Sequence, residues 1–130
     1  MQKESAPVGK KSLWIGYALS GLSILFLLVD AGMKIAQASA SVQGTVDLGY
    51  PESTVVPIGL ALLVSVLLYA VPQTSFWGAL LLTGYLGGAV ATHVRVGAPL
   101  LAFFPVFVAV MIWGGLACRD RRLRELISIH

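Results

Sequence analysis

The segment Leu100–Cys118, LLAFFPVFVAVMIWGGLAC, carries no charged residue and no polar stripe recurring every third or fourth position. A helix of this length, rising 1.5 Å per residue, crosses a hydrocarbon core of about 30 Å with slight mismatch. A helix on the core of a soluble protein would keep one wetted face, and this one has none. Three more stretches read the same way: Leu13–Val29, Val55–Val71 and Phe76–Thr92. Together they predict an all-α integral membrane protein, a transmembrane antiparallel four-helix bundle that runs up-down-up-down. The expected spans are approximately 13–36, 55–71, 76–94 and 100–118, within a single membrane domain over residues 1–130.

Composition agrees, with 57% hydrophobic and only 12% charged residues, against roughly 25% charged in soluble domains. The formal net charge of +3 sits mostly at the ends. Lys3, Lys10 and Lys11 precede the first span, and Arg119, Arg121, Arg122 and Arg124 follow the last. Juxtamembrane clusters of this kind orient spans and favour anionic lipid headgroups, so membrane lipids rather than nucleic acid are the expected partners. The basic ends 1–12 and 119–130 are therefore expected in the cytoplasm. The connection Gln37–Thr54 has Asp47 and Glu52 but no Lys or Arg, which places it outside as a capping loop. The neutral turn Pro72–Ser75 returns the chain inside, and the Arg95–Pro99 link lies outside with one arginine against the rule. A signal-peptide reading, with Ala38-Ser39-Ala40 as the cleavage motif, fits less well. The apolar run exceeds an h-region of about 7–15 residues, and Asp30 and Lys34 intervene.

Cys118 is the single cysteine, so no internal disulfide or dithiol relay is possible within one chain. No Cys/His cluster or HExxH motif marks a metal site, and no glycine-rich phosphate loop is present. Small residues mark where helices touch. Gly84-x-x-x-Gly88, extended by Gly87 and Ala91, predicts close packing on the third span, and Gly16 and Ser20, followed by Ser23, predict it on the first. Pro57 is expected in an early helical turn, Pro105 to kink the fourth span, and Gly114-Gly115 to pack closely.

Ionisable groups at membrane depth are costly unless they pair or line a wet cavity. Asp30 and Lys34 stand four apart in the acid-then-base order that favours an intrahelical pair, and they close the first span. His93 and Arg95 close the third on the same side. Arg95 also reads as a headgroup anchor, and His93 as an interfacial hydrogen-bonding residue or a proton exchanger. By topology, Asp30, Lys34, His93 and Arg95 form a candidate polar cavity mouth. Trp14, Tyr17, Phe76 and Trp77 fit an aromatic belt, whereas Phe103, Phe104, Phe107 and Trp113 read as packing or lipid contacts.

Several segments, in order, are similar to one family. They are Gly32-Met33-Lys34, Leu48-Gly49-Tyr50-Pro51, the run from Thr83 to Arg95 (TGYLGGAVATHVR), Phe104-Pro105, Trp113-Gly114-Gly115-Leu116 and Arg119-Asp120. The chain resembles the DoxX-like family of small four-helix bacterial membrane proteins. The family often has a small polar residue such as serine just before the lysine segment, where this chain has Asp30-Ala31-Gly32. The resemblance implies the bacterial inner membrane. It also implies an association with membrane oxidoreductase systems and quinone-linked oxidation of sulfur compounds. No haem, flavin or iron–sulfur motif appears, so a quinone would be the carrier, with His93 and Asp30 exchanging protons and Lys34 or Arg95 polarising a carbonyl. Two other readings stand beside it: a small proton-coupled transporter working as a homodimer, and an accessory or assembly subunit in a membrane complex without chemistry of its own. For topology, a fluorescent protein fused after His130 should fold and fluoresce in the cytoplasm. A cysteine placed at Ser53 should react with an impermeant maleimide in intact cells, and the reverse pattern would overturn this orientation.

Overall fold

A computed structural model describes residues 9–127. It contains four helices long and apolar enough to cross a membrane. They are α1 (Lys10–Ile35), α3 (Val55–Ala70), α4 (Ser75–Arg95) and α5 (Phe103–Arg119), joined by the shorter α2 (Ser39–Asp47) and followed by α6 (Arg121–Ile127). Their bounds match the expected spans to within a turn. α1 packs on α3 and α5, and α4 packs on the same two, leaving α1 and α4 on a diagonal without direct contact.

The distribution of residue sizes is that of a protein in lipid. Large side chains such as Trp14, Leu25, Leu100, Phe103 and Val110 face outward. The buried face of α1 is Gly16, Ser20, Ser23, Leu27 and Ala31. Lipid tails are as apolar as leucine, so helices gain little by hiding large side chains and associate through close backbone approach. Three contacts show this. A Cβ on Gly16 would lie 2.9 Å from the Gly115 carbonyl at the α1–α5 crossing. One on Gly59 would lie 2.7 Å from the Lys34 Cβ between α1 and α3, and one on Gly78 would overlap the Tyr69 backbone between α3 and α4.

Gly16 and Ser20 thus pack as their spacing suggests, and Gly115 is their partner. Gly84 and Gly88 do not pack within the chain, because a Cβ at either would meet nothing within 4 Å. Pro105 also departs from expectation. A 3-10 turn, Pro99–Ala102, precedes α5, and Pro105 falls in the first turn of the α-helix rather than inside it, where its missing N–H is no loss. The connection 37–54 is not an open loop, since half of it is α2. Its run of Ser, Val, Thr and Gly has weak helical propensity. Tertiary packing supplies what propensity lacks, with Thr45 buried and α2 seated on α1 and α3. A Gln43–Asp47 hydrogen bond adds i,i+4 support.

Chain reversals at the α2 end share one device. α1, α2 and α4 each finish with a residue at positive φ, namely Gln37 (56°), Gly49 (96°) and Gly97 (83°). In each case the next two amides bond back in the Schellman pattern, as in Gln37 N–H to Lys34 O and Ala38 N–H to Met33 O. α3, α4 and α5 are each entered through a proline and a 3-10 turn.

The opposite end, which holds the start of α1 and α6, is pinned by an oriented chain of hydrogen bonds. Arg119 Nε–H donates to Ser20 Oγ at 3.0 Å, Ser20 Oγ–H to the Tyr69 hydroxyl at 2.8 Å, and Tyr69 to the Ile112 carbonyl at 2.7 Å. The direction follows because the Ile112 carbonyl can only accept. The Arg119 guanidinium also lies over the Tyr69 ring, 5.4 Å from its centroid. Arg119 is therefore turned into the bundle rather than left as one of the solvated basic residues after the last span. Asp120 then caps α6, its Oδ1 accepting from Arg122 N–H at 2.8 Å. Tyr69→Phe breaks the chain at its buried middle. It should lower unfolding stability in detergent by about 1–2 kcal/mol, and Gly115→Leu, which forces α1 and α5 apart, by more.

Candidate functional site

Because α1 and α4 stand on a diagonal with small residues facing across it, space remains between them at the α2 end. The result is a cavity of about 670 Å³. That falls within the usual range of roughly 300–1,000 Å³ for a small-molecule pocket. One part of its wall is apolar: Phe26 and Leu27 from α1, Leu86 from α4, and Phe104 and Val108 from α5. Gly84 and Gly88 border it too, so their missing side chains leave it room. Phe26 and Phe104, both about half exposed, meet edge to face at 5.2 Å between α1 and α5. α2 forms the roof through Ala40, Ser41, Gly44 and Thr45.

The polar part of the wall collects near the roof. Lys34 Nζ pairs with Asp30 Oδ1 one turn earlier, with side-chain exposures of 14% and 32%. The pair is mostly shielded and neutral as a unit. His93 lines the cavity, and its Nδ1 is 2.8 Å from the Ala89 carbonyl. A carbonyl can only accept, so Nδ1 carries the hydrogen and Nε2 of a neutral ring is left as an acceptor. Tyr85 borders the cavity, and its hydroxyl makes no hydrogen bond among the described residues. Ser41 Oγ, on α2, is closed off from solvent and cavity and has no partner among the described residues.

Asp30 and Lys34 from α1 and His93 from α4 thus line one cavity, and Arg95 is not among its lining residues. It is exposed on the outer side of α4, where Nη2 donates to the Leu48 carbonyl at 2.8 Å. The contact secures the end of α2. Gly49 fits there for two reasons: its φ of 96° disfavours a side chain, and a Cβ would lie 3.2 Å from the guanidinium. Tyr50 adds a second fastening, its hydroxyl 2.7 Å from Thr92 Oγ1, which itself donates to the Gly88 carbonyl at 2.8 Å.

Ser41, Thr45, Tyr50, Tyr85 and Thr92 were not among the residues picked out by charge. A usable signal was present in the twin motifs Gly49-Tyr50-Pro51 and Gly97-Ala98-Pro99, each a helix terminator followed by a proline entry. The first of them implies a helix ending at about residue 48, hence a roof.

A profile of the DoxX-like family matches residues 18–115, well over half of the chain and every element that lines the cavity. No curated protein and no solved structure matches it. The Asp30–Lys34 pair makes a stability test of the site. Lys34→Met leaves a carboxylate without its partner at membrane depth and should destabilise the protein in detergent more than Asp30→Asn combined with Lys34→Met. A double-mutant cycle should return a coupling on the order of 1 kcal/mol, and additive effects would mean that the pair contributes nothing.

Proposed function

Since the chain belongs to the DoxX-like family and its four spans border a half-open cavity with an apolar wall and a polar roof end, we propose that it holds one membrane-soluble amphiphile between α1 and α4. A lipid-soluble quinone is the redox-active molecule of that description, and the protein then serves as a quinone-associated membrane subunit of an oxidoreductase system. The observation that carries this reading is the cavity itself. A bundle of this size that needed only to be stable would fill the diagonal with side chains, because void lining loses dispersion contacts. Glycine at 84 and 88 keeps it empty of protein atoms instead. An acid, a base and an imidazole on the wall supply groups that can exchange protons and orient a carbonyl. Family membership supports a bacterial inner-membrane placement, and the basic termini support both ends in the cytoplasm, which turns the cavity roof outward.

Native mass spectrometry of protein purified with its own membrane lipids tests this directly. One uncharged amphiphile per chain should co-purify. Gly88→Leu, at a cavity-lining position where a Cβ meets no protein atom within 4 Å, should retain the fold and lose the molecule. Protein carrying no more of any such molecule than empty micelles would overturn the proposal. A quinone-free lipid in the site would leave a lipid-handling subunit without a redox role.

A further inference from the structure

The polar end of the cavity constrains what kind of head it accepts, an inference that rests on the cavity being occupied. Its two full charges cancel within the chain, Lys34 against Asp30. Arg95, the other charge at this end of α4, is outside the cavity and bonded to Leu48 O. An anionic head would compete with Asp30 for the Lys34 ammonium and bring a net negative charge into a mostly shielded place. A cationic head would compete with Lys34 for Asp30 and bring a net positive one.

What the wall does offer is uncommitted hydrogen-bonding capacity. Tyr85 has a hydroxyl with no partner among the described residues. His93 has its Nδ1 hydrogen spent on Ala89, leaving Nε2 to accept. Polar groups shielded from water are nearly always paired, so these two on the cavity lining call for a partner from outside the chain. Ser41 Oγ, closed off from the cavity, adds nothing to the set.

The geometry points to a specificity pole made by Tyr85 and His93, which selects amphiphiles whose heads are uncharged and carry carbonyl or hydroxyl oxygens. Tyr85 donates to a carbonyl oxygen, and His93 Nε2 accepts from a hydroxyl. The set therefore suits a quinone and its quinol alike, and also the ester and free hydroxyl of a diacylglycerol. Tyr85 is a specificity residue here, distinct from the Asp30–Lys34 pair, which keeps the site neutral.

Thermal-shift titration of the delipidated full chain in uncharged detergent, with four probes, tests the pole. The probes are decyl-benzoquinone, dioctanoylglycerol, decanoate and dioctanoyl phosphatidate. At least one uncharged probe should raise Tm with concentration, and the two anionic ones should not at the same concentrations. Tyr85→Phe should weaken the binding of the uncharged probe about tenfold, the size expected for one lost hydrogen bond in a shielded site. Ser41→Ala, which removes an unpaired hydroxyl closed off from the cavity, should leave that affinity unchanged and the ligand-free Tm unchanged or higher. If Tyr85 had only a structural role, Tyr85→Phe would lower the ligand-free Tm instead. Binding of decanoate or phosphatidate as tightly as the uncharged probes, or full affinity in Tyr85→Phe, would overturn the pole while leaving the occupied cavity intact. A diacylglycerol response without a quinone response would uphold the pole and remove the quinone from the proposed function. No response to any probe, with nothing co-purifying, would remove both.

Discussion

The chain of donors from Arg119 through Ser20 and Tyr69 to Ile112 sets the geometry of the bundle. Hydrophobic burial cannot choose a register between helices in lipid, so polar and close-packed contacts must do so. Tyr69 is fully buried on α3, and its hydroxyl reaches both α1 and α5. One side chain thus ties three helices, with every donor used once and the last acceptor a main-chain carbonyl. Gly16 and Gly115 bring α1 and α5 close enough for it, and Gly78 brings α4 onto the Tyr69 backbone. α1 and α4 are then held apart by the two helices they share, and the cavity is the remainder.

Much of this was written plainly in the chain. Length and hydropathy alone specify four spans, because lipid leaves a backbone no alternative to the helix. The face Gly16, Ser20, Ser23 and Leu27 follows from 100° per residue, and those residues are the buried ones. The Asp30–Lys34 pair was legible because i,i+4 contacts are local. What stayed hidden was non-local. Arg119 reads as one more juxtamembrane cation, and only the tertiary position of Tyr69 turns it inward. Gly84 and Gly88 have the spacing of a packing motif, yet spacing does not say whether a neighbour is present. α2 has a composition that propensity assigns to loop, and its helix depends on the surface beneath it.

Cavity and lid are linked through Thr92. This residue lines the cavity, returns its own hydrogen to Gly88, and receives the Tyr50 hydroxyl that helps hold the roof. Lys34, which also lines the cavity, lies where α1 meets Gly59 of α3. The residues that shape the polar end are thus also those that join its helices, and they sit at element ends, where small backbone adjustments are least costly.

The two ends of the bundle are built from different materials. One is clamped by a buried donor chain, backbone-to-backbone contact and a capped terminal helix. At the other, α1 and α3 pack closely at Gly59, while α4 is tied to the α2 segment by an arginine–carbonyl bond and a hydroxyl pair, and α1 meets α5 through two half-exposed rings. The α1–α4 diagonal is therefore crossed at this end by side chains and by α2, and not by direct packing of the two helices.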